Sequence, residues 1–246
     1  MKSQCRFSEV SVVLCLVTIS SQVLANPVGE SLRAGRARFD RSAPGSLSIY
    51  QNSDKLIVNW REFSIAAGET TRFIQPSATS IALNRVVTAN PSRLFGNLEA
   101  NGKVYLINPN GILVGRAGAV NTRGFVASTL DVSDASFLSG ATLRLSGDSE
   151  ASVVNEGSIQ AIGGDVFLVG RTVENSGTIR ASTVGLGAGS EVVIVPTGRE
   201  RLSVIAGNAS GDQADKGVNN QGTIEAVSAE LKAAGGNIYA LAINNG

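Results

Sequence analysis

The sequence predicts an all-β chain wound into a parallel β-helix and closed at its N-terminal end by a β cap. The pattern Asn-x-Gly-[Ser/Thr]-Ile-x-Ala occurs as NEGSIQA at Asn155 to Ala161, NSGTIRA at Asn175 to Ala181 and NQGTIEA at Asn220 to Ala226. The first two copies lie 20 residues apart, the length of one solenoid coil. Within each unit Ile and Ala alternate with polar residues, which sets Ile159 and Ala161 on one face of a strand and Ser158 and Gln160 on the other. Composition agrees: 43% hydrophobic but only 5% aromatic, with 28 Gly against 6 Pro, describes a turn-rich chain with a small-residue aliphatic core.

Taken in order, residues 1–25 have the layout of a secretory signal peptide. Lys2 and Arg6 supply a basic start, Val10 to Ile19 an apolar stretch too short to span a bilayer comfortably, and Val23-Leu24-Ala25 the small-residue cleavage pattern. Cleavage after Ala25 makes Asn26 the new N-terminus. Cys5 and Cys15 both lie in this leader, so the mature chain has no thiol and depends on packing alone. The leader also carries two of the 21 basic and one of the 20 acidic residues, which leaves 19 of each and no basic footprint for nucleic acid.

Residues 26–150 read as the N-terminal cap and the first coils. The stretch SLSIYQNSDKLIVNWREFSI alternates apolar and polar positions, and GETTRFIQPSATSIALNRV holds a strand, a turn at Pro76 and a second strand. A cap is needed because the first coil otherwise exposes apolar core and an unpaired strand edge. Trp60 and Phe63 are assigned to that cap or core. Ser133 to Leu138 reads as one helical turn capped by Ser133.

Residues 151–246 continue the repeats. Asn155, Asn175 and Asn220 should stack in successive coils and form a side-chain ladder. A second strand follows the Gly-Gly turn in GGDVFLVG, with Val166 and Leu168 inward; Ile238, Ala240 and Ala242 in GGNIYALAI read as its equivalents. The 45 residues between Asn175 and Asn220 read as two coils plus an insertion around Gly207 to Gly217, and Ala226 to Gly235 as a turn excursion. A degenerate fourth unit starts at Ile243, where LAINNG ends the chain as another repeat begins; a truncated product or a fragment of a longer protein is the expectation. At about 20 residues per coil the rod holds at most about eleven coils, or about 50 Å.

These residues carry a family resemblance. NWREFSIAAGETTRFIQPSATSIALNRV, NPSRLFGNLEANGKVYLINPNGILVG and AVNTRGFVASTLDVSDASFLSG, from Asn59 onward, resemble the secretion domain of filamentous haemagglutinin-like proteins, the exported partners of two-partner secretion systems. The resemblance runs from about Asn26 through SVVNEGSIQA and more loosely to the end. It implies a right-handed parallel β-helix that reaches the periplasm by the general export machinery. It also implies recognition by a partner outer-membrane transporter, folding outside the cell, and a secreted or cell-surface location with host-cell receptors or glycans as targets. Asn108, Pro109, Asn110, Gly111 and Ile112 form the motif that the resemblance singles out, acting in recognition or in folding. By themselves these residues read as a β-turn between KVYLI and ILVG, with Asn90-Pro91-Ser92 as a second such turn. A separate Asn-Pro-Asn-Leu motif is absent from the sequence.

Catalysis finds little support. The chain has no His and the mature part no Cys, which excludes the usual nucleophile-base pairs and His-based metal sites. Asp131, Asp134, Asp148 and Asp165 are scattered, Gly185 to Ser190 precedes a strand and not a helix, and no cofactor or metal is called for. Two alternatives stand beside the exported adhesin. One is a β-helical polysaccharide lyase or hydrolase; the other is an autotransporter-like passenger, which needs a membrane barrel that the sequence does not show.

Overall fold

In the computed structural model of the chain, which describes residues 26–140, 142–195, 201–205, 217–234 and 237–240, alternating strands stack into coils with three faces. The first face is built from Ser46–Gln51, Thr70–Ile74, Asn97–Ala100, Ala119–Asn121 and the leading parts of Ser158–Gly170, Thr178–Ala188 and Thr223–Ala233. The second is built from Lys55–Trp60, Ile81–Val86, Lys103–Ile107, Gly124–Ser128 and the trailing parts of the same three long strands. Ser92–Leu94, Ile112–Val114, Ser152–Asn155, Thr172–Asn175, Gly217–Asn220 and Asn237–Ala240 make the third. Every one of these neighbours is parallel, so each strand pairs with its counterpart one coil away. The chain is therefore a parallel β-helix.

Side chains that point inward form one continuous core. Leu98, Val120, Ile159, Ile179 and Ile224 are in register along the first face and all fully buried, so each aliphatic group rests on the one from the coil before. On the second strand of the repeat Val166 and Leu168 point inward, at 0% and 1% exposure.

Three expectations for the repeat region need correction. Asn175 pairs directly with Asn220, and Thr178–Ala188 with Thr223–Ala233, so the 45 residues between the two Asn hold one coil and not two. The extra residues leave the coil after Ala188, and Glu191–Val195 and Arg201–Ile205 form an antiparallel pair outside it. Ala226 onward is no turn excursion, because the strand runs on to Ala233 and pairs Ser228 with Thr183 and Leu231 with Leu186. Ile238 pairs with Val218 on the third face and is 49% exposed, so it corresponds to the strand before the Asn-x-Gly corner and not to Val166. Length, position between repeats and a shared Gly-Gly turn are local signals, whereas pairing to the neighbouring coil decides the place of each segment. The expected leader, the stretch Gly207 to Asp215, Ala242 and the unit at Ile243 lie outside the described residues.

The N-terminal end is closed by the two antiparallel additions Ser31–Ala34, against Lys55–Trp60, and Ala37–Asp40, against Ser46–Gln51. Trp60 is fully buried there, edge-on to Phe39 and Phe63 at ring separations of 5.6 and 5.5 Å. Its indole N–H donates to Asn84 Oδ1 at 2.9 Å, so the largest core side chain has no unsatisfied donor. Trp60 and Phe63 thus belong to the cap and core together.

A second core lies outside the coil. Ile57, Leu83, Tyr105, Ile107, Val126, Phe167 and Val169 point outward from the second face yet are buried. They are covered by the segment between Ser128 and Ser152, whose helix Asp134–Ser139 is N-capped by Ser133, and by Leu143–Ser146, which pairs with Glu191–Val195. Two cations from early coils pin this flap. Lys55 Nζ donates to the Phe137 and Leu138 carbonyls at 3.1 and 2.6 Å, and Arg85 contacts Asp131, Asp134 and the Val132 carbonyl at 2.7 to 2.9 Å. Burial works against the Arg85 charge, but the two carboxylates more than offset it and its pKa is raised.

Phe137 stacks edge-on to Tyr105 at 5.9 Å and is 2% exposed. Phe137→Ala should destabilise the protein by about 3–5 kcal/mol, the usual cost of emptying a buried aromatic site. Limited proteolysis should then cut within residues 131–149 before it cuts the coil; equal rates at both would show that the flap and the coil unfold as one unit.

Candidate functional site

Two corners of the coil carry the polar residues singled out above. At the corner between the third and first faces, Asn155, Asn175 and Asn220 are 0 to 1% exposed. Asn155 Nδ2 donates to Asn175 Oδ1 at 2.7 Å, and Asn175 Nδ2 to Asn220 Oδ1 at 2.6 Å. Asn155 Oδ1 in turn accepts the Gly157 N–H at 3.2 Å, which holds the amide against its own corner. The glycine of Asn-x-Gly is needed for space. A Cβ on Gly177 would lie 2.1 Å from the Gly157 carbonyl oxygen, and Gly222 stands in the same relation to Gly177.

The second corner is INPNGI, where the chain passes from Lys103–Ile107 on the second face to Ile112–Val114 on the third. Asn108 is fully buried and its hydrogen bonds reach three successive coils. Its Nδ2 donates to the Asn90 carbonyl and to Ser92 Oγ in the preceding coil, both at 2.9 Å. Its Oδ1 accepts the Asn110 N–H and Nδ2 within its own turn, at 2.9 and 3.0 Å. Its own N–H donates to the Ser128 carbonyl of the next coil at 2.9 Å. The Gly111 N–H closes the turn on the Asn108 carbonyl at 3.1 Å, and Gly111 has φ +107°, a backbone state that L side chains rarely adopt.

Asn110 completes the junction by donating from Nδ2 to the Thr88 carbonyl at 2.7 Å. Ile112 is 2% exposed and belongs to the core. Pro109 alone of the five is exposed, and its carbonyl accepts Ser149 Oγ at 2.6 Å from the end of the flap. The structure therefore joins Asn90-Pro91-Ser92 and Asn108 to Ile112 into one polar junction. The Asn155 column lies at a different corner. Of the cleavage pair, Ala25 is outside the described residues, while Asn26 is 8% exposed and accepts the Thr71 hydroxyl on Oδ1 at 2.8 Å.

Sequence reasoning missed a third polar column. Gln51 and Gln75, 3% and 5% exposed, sit at the corner between the first and second faces, and Gln75 Nε2 donates to Gln51 Oε1 at 3.1 Å. The signal was a Gln at the end of two similar segments, SLSIYQ and TTRFIQ. The scattered aspartates show a different arrangement: Asp131 and Asp134 converge on Arg85, where they anchor the flap.

Asn175→Ala removes the partner of Asn155 Nδ2 and a donor to Asn220, and should destabilise the fold by about 2–4 kcal/mol. Asn108→Ala should cost about 3 kcal/mol, and Asn110→Ala about 1 kcal/mol because fewer bonds are lost. Urea unfolding checks this, with lowered midpoints at unchanged slope expected for all three. An Asn108→Ala midpoint equal to the parent's would remove the junction from the stability argument.

Comparison with known proteins places this geometry. A family model described as the TPS secretion domain matches residues 43–245. The crystal structure of the HMW1 secretion domain from Haemophilus influenzae superposes with a TM-score of 0.69 at 30% identity, over 83% of this chain and 57% of that one. The filamentous hemagglutinin secretion domain superposes with a TM-score of 0.60 over 89% of this chain and 98% of that one; at 17% identity it speaks for the fold alone. Two heme/hemopexin-binding proteins of Haemophilus influenzae, one of them from strain KW20 / Rd, are each 37% identical, over 98 and 106 residues. Those segments are 40% and 43% of this chain but only 11% and 12% of the relatives, so the shared part is about a tenth of their length. The three-faced capped coil and the match over residues 43–245 together make this chain a member of the TPS secretion domain family, the secretion domain of two-partner secretion exoproteins.

Proposed function

We propose that this secretion domain is the export signal and folding nucleus of a haemagglutinin-like or adhesin-like exoprotein, with residues 26–150 as the part that a partner outer-membrane transporter engages. The chain crosses the inner membrane by the general export machinery after its leader, residues 1–25, directs it there. It meets the transporter unfolded and winds into its coil outside the cell, where host-cell receptors or glycans are the targets of the exoprotein. A TPS secretion domain implies such a transporter.

The observation that carries the folding half of this reading is the junction at Asn108. Its polar atoms all point into the chain and bind three successive coils, so forming it fixes the stacking of those coils at once. A surface held ready for a partner would leave such groups outward; here only Pro109 is exposed. The unfolded passage has two supports. No Cys occurs after Cys15, so no disulfide locks the chain before it threads a pore. Parallel pairing between residues a coil or more apart also delays folding, because loop closure precedes the stabilising contacts. We assign no heme or hemopexin binding, since the segment shared with the proteins so named is about a tenth of their length.

The test is secretion. Co-expressed with its neighbouring transporter, the chain should appear in the medium, and without the transporter it should stay in the periplasm. Asn108→Ala should be secreted several-fold less than the parent and Asn110→Ala less affected, in the order of their lost stability. Transporter-independent appearance in the medium overturns the export reading. Variants that match the parent in stability yet are not secreted overturn the folding role and assign the turn to direct contact.

A further inference from the structure

One outward row of polar side chains runs along the first face from coil to coil, and in its middle the charge pairing stops. In register they run Arg72, Glu99, Asn121, Gln160, Arg180 and Glu225. Arg72 binds Glu99 at 2.7 Å and Arg180 binds Glu225 at 2.7 and 3.0 Å, so both ends are neutralised. Between them Asn121 and Gln160 lie side by side, and neither amide has a hydrogen-bond partner among the described residues.

Beside these amides, at the corner into the second face, is an open depression of about 340 Å³. Arg123 stands on it. Its Nη1 donates to the Ile162 carbonyl at 2.7 Å, which fixes the guanidinium in place, and it has no carboxylate partner among the described residues. Ile162 is 73% exposed on the same rim, and Thr122, 8% exposed in the lining, has a hydroxyl with no partner. Arg72 and Arg180 on the same face are, by contrast, each paired with a glutamate of the neighbouring coil.

We propose that this depression binds a carboxylate-bearing sugar unit of an anionic polysaccharide. A positioned guanidinium with free N–H groups matches the fork of a carboxylate. The two amides each donate and accept, which suits ring hydroxyls, and Ile162 offers apolar surface to the C–H face of a pyranose. A neutral sugar leaves Arg123 unpaired, and a phosphate dianion calls for more than one cation. The volume is at the lower end for a small-ligand site, which limits it to one or two sugar rings. This inference rests on reading the chain as an exported surface protein. Its test needs only the purified folded protein, so it can fail while transporter-dependent secretion stands.

The experiment is calorimetric titration of the folded chain, at low salt, with trigalacturonate, with a hyaluronan tetrasaccharide and with the methyl ester of trigalacturonate. At least one of the two acids should bind, and the ester should bind at least about tenfold more weakly, the loss expected for one charged hydrogen-bonded contact. Arg123→Gln should weaken the acid by a similar factor with an unchanged thermal midpoint. If that variant loses stability, the double variant Asn121→Ala, Gln160→Ala is read in its place and should weaken binding several-fold. Arg36→Gln, on the cap, should leave affinity unchanged. No heat with either acid at millimolar concentration overturns the proposal. So does equal affinity for acid and ester, or an Arg36→Gln loss as large as that of Arg123→Gln, which would mark diffuse attraction.

Discussion

Rungs of a parallel coil must sit about 4.8 Å apart at every corner as well as along every strand, and the rest of this structure depends on how the corners meet that spacing. At the Asn-x-Gly corner a glycine brings backbone onto backbone, with the Gly157 carbonyl 2.1 Å from where a Gly177 Cβ would be. The close approach also buries an amide side chain, which must then be satisfied within the chain. Stacking supplies the partner, because Asn175 lies between the same amide in the coil before and in the coil after and bonds to both. INPNGI solves the same problem without repetition. It is an early, irregular corner, where Asn108 binds the preceding coil through Nδ2, the next coil through its backbone N–H, and its own turn through Oδ1.

The second face imposes a different demand. Its strands are apolar on consecutive positions, as in LIV at Leu56 to Val58, VYLI at Val104 to Ile107 and VFLV at Val166 to Val169, so both of its surfaces have to be covered. The inner surface faces the coil core. The outer one is covered by the flap and the external antiparallel strands, which is why the chain leaves the coil after Ser128 and again after Ala188. These departures also explain why the first face shows seven parallel rungs among the described residues and not the eleven that length alone allows. Lys55 and Arg85 belong to the first coils, yet they hold a segment some fifty to eighty residues later. Completion of the flap therefore requires the early coils to be in place.

The coil as a whole is built from contacts distant in sequence. Coil contacts join residues about 20 or more positions apart, as between Asn155 and Asn175, so little of the structure can form until several strands are free together. The cap gives the first coil its missing neighbour, and Asn26 is tied to Thr71 at that end.

What the sequence determined by itself was local. Alternation in NEGSIQA, NSGTIRA and NQGTIEA set which side chains face the core, and Asn-x-Gly marked the corners, because both follow from backbone geometry within a few residues. Ser133 likewise marked the helix start. Tertiary structure decided what depends on the neighbouring coil. It assigned Ala226 to Ala233 to a strand and Ile238 to the third face, and it reduced the stretch from Asn175 to Asn220 to one coil, since register with Thr178–Ala188 and Gly217–Asn220 overrides length and propensity. It also paired Gln51 with Gln75 and joined Asn90 to Asn108, positions far apart in the chain that only stacking brings within hydrogen-bond reach.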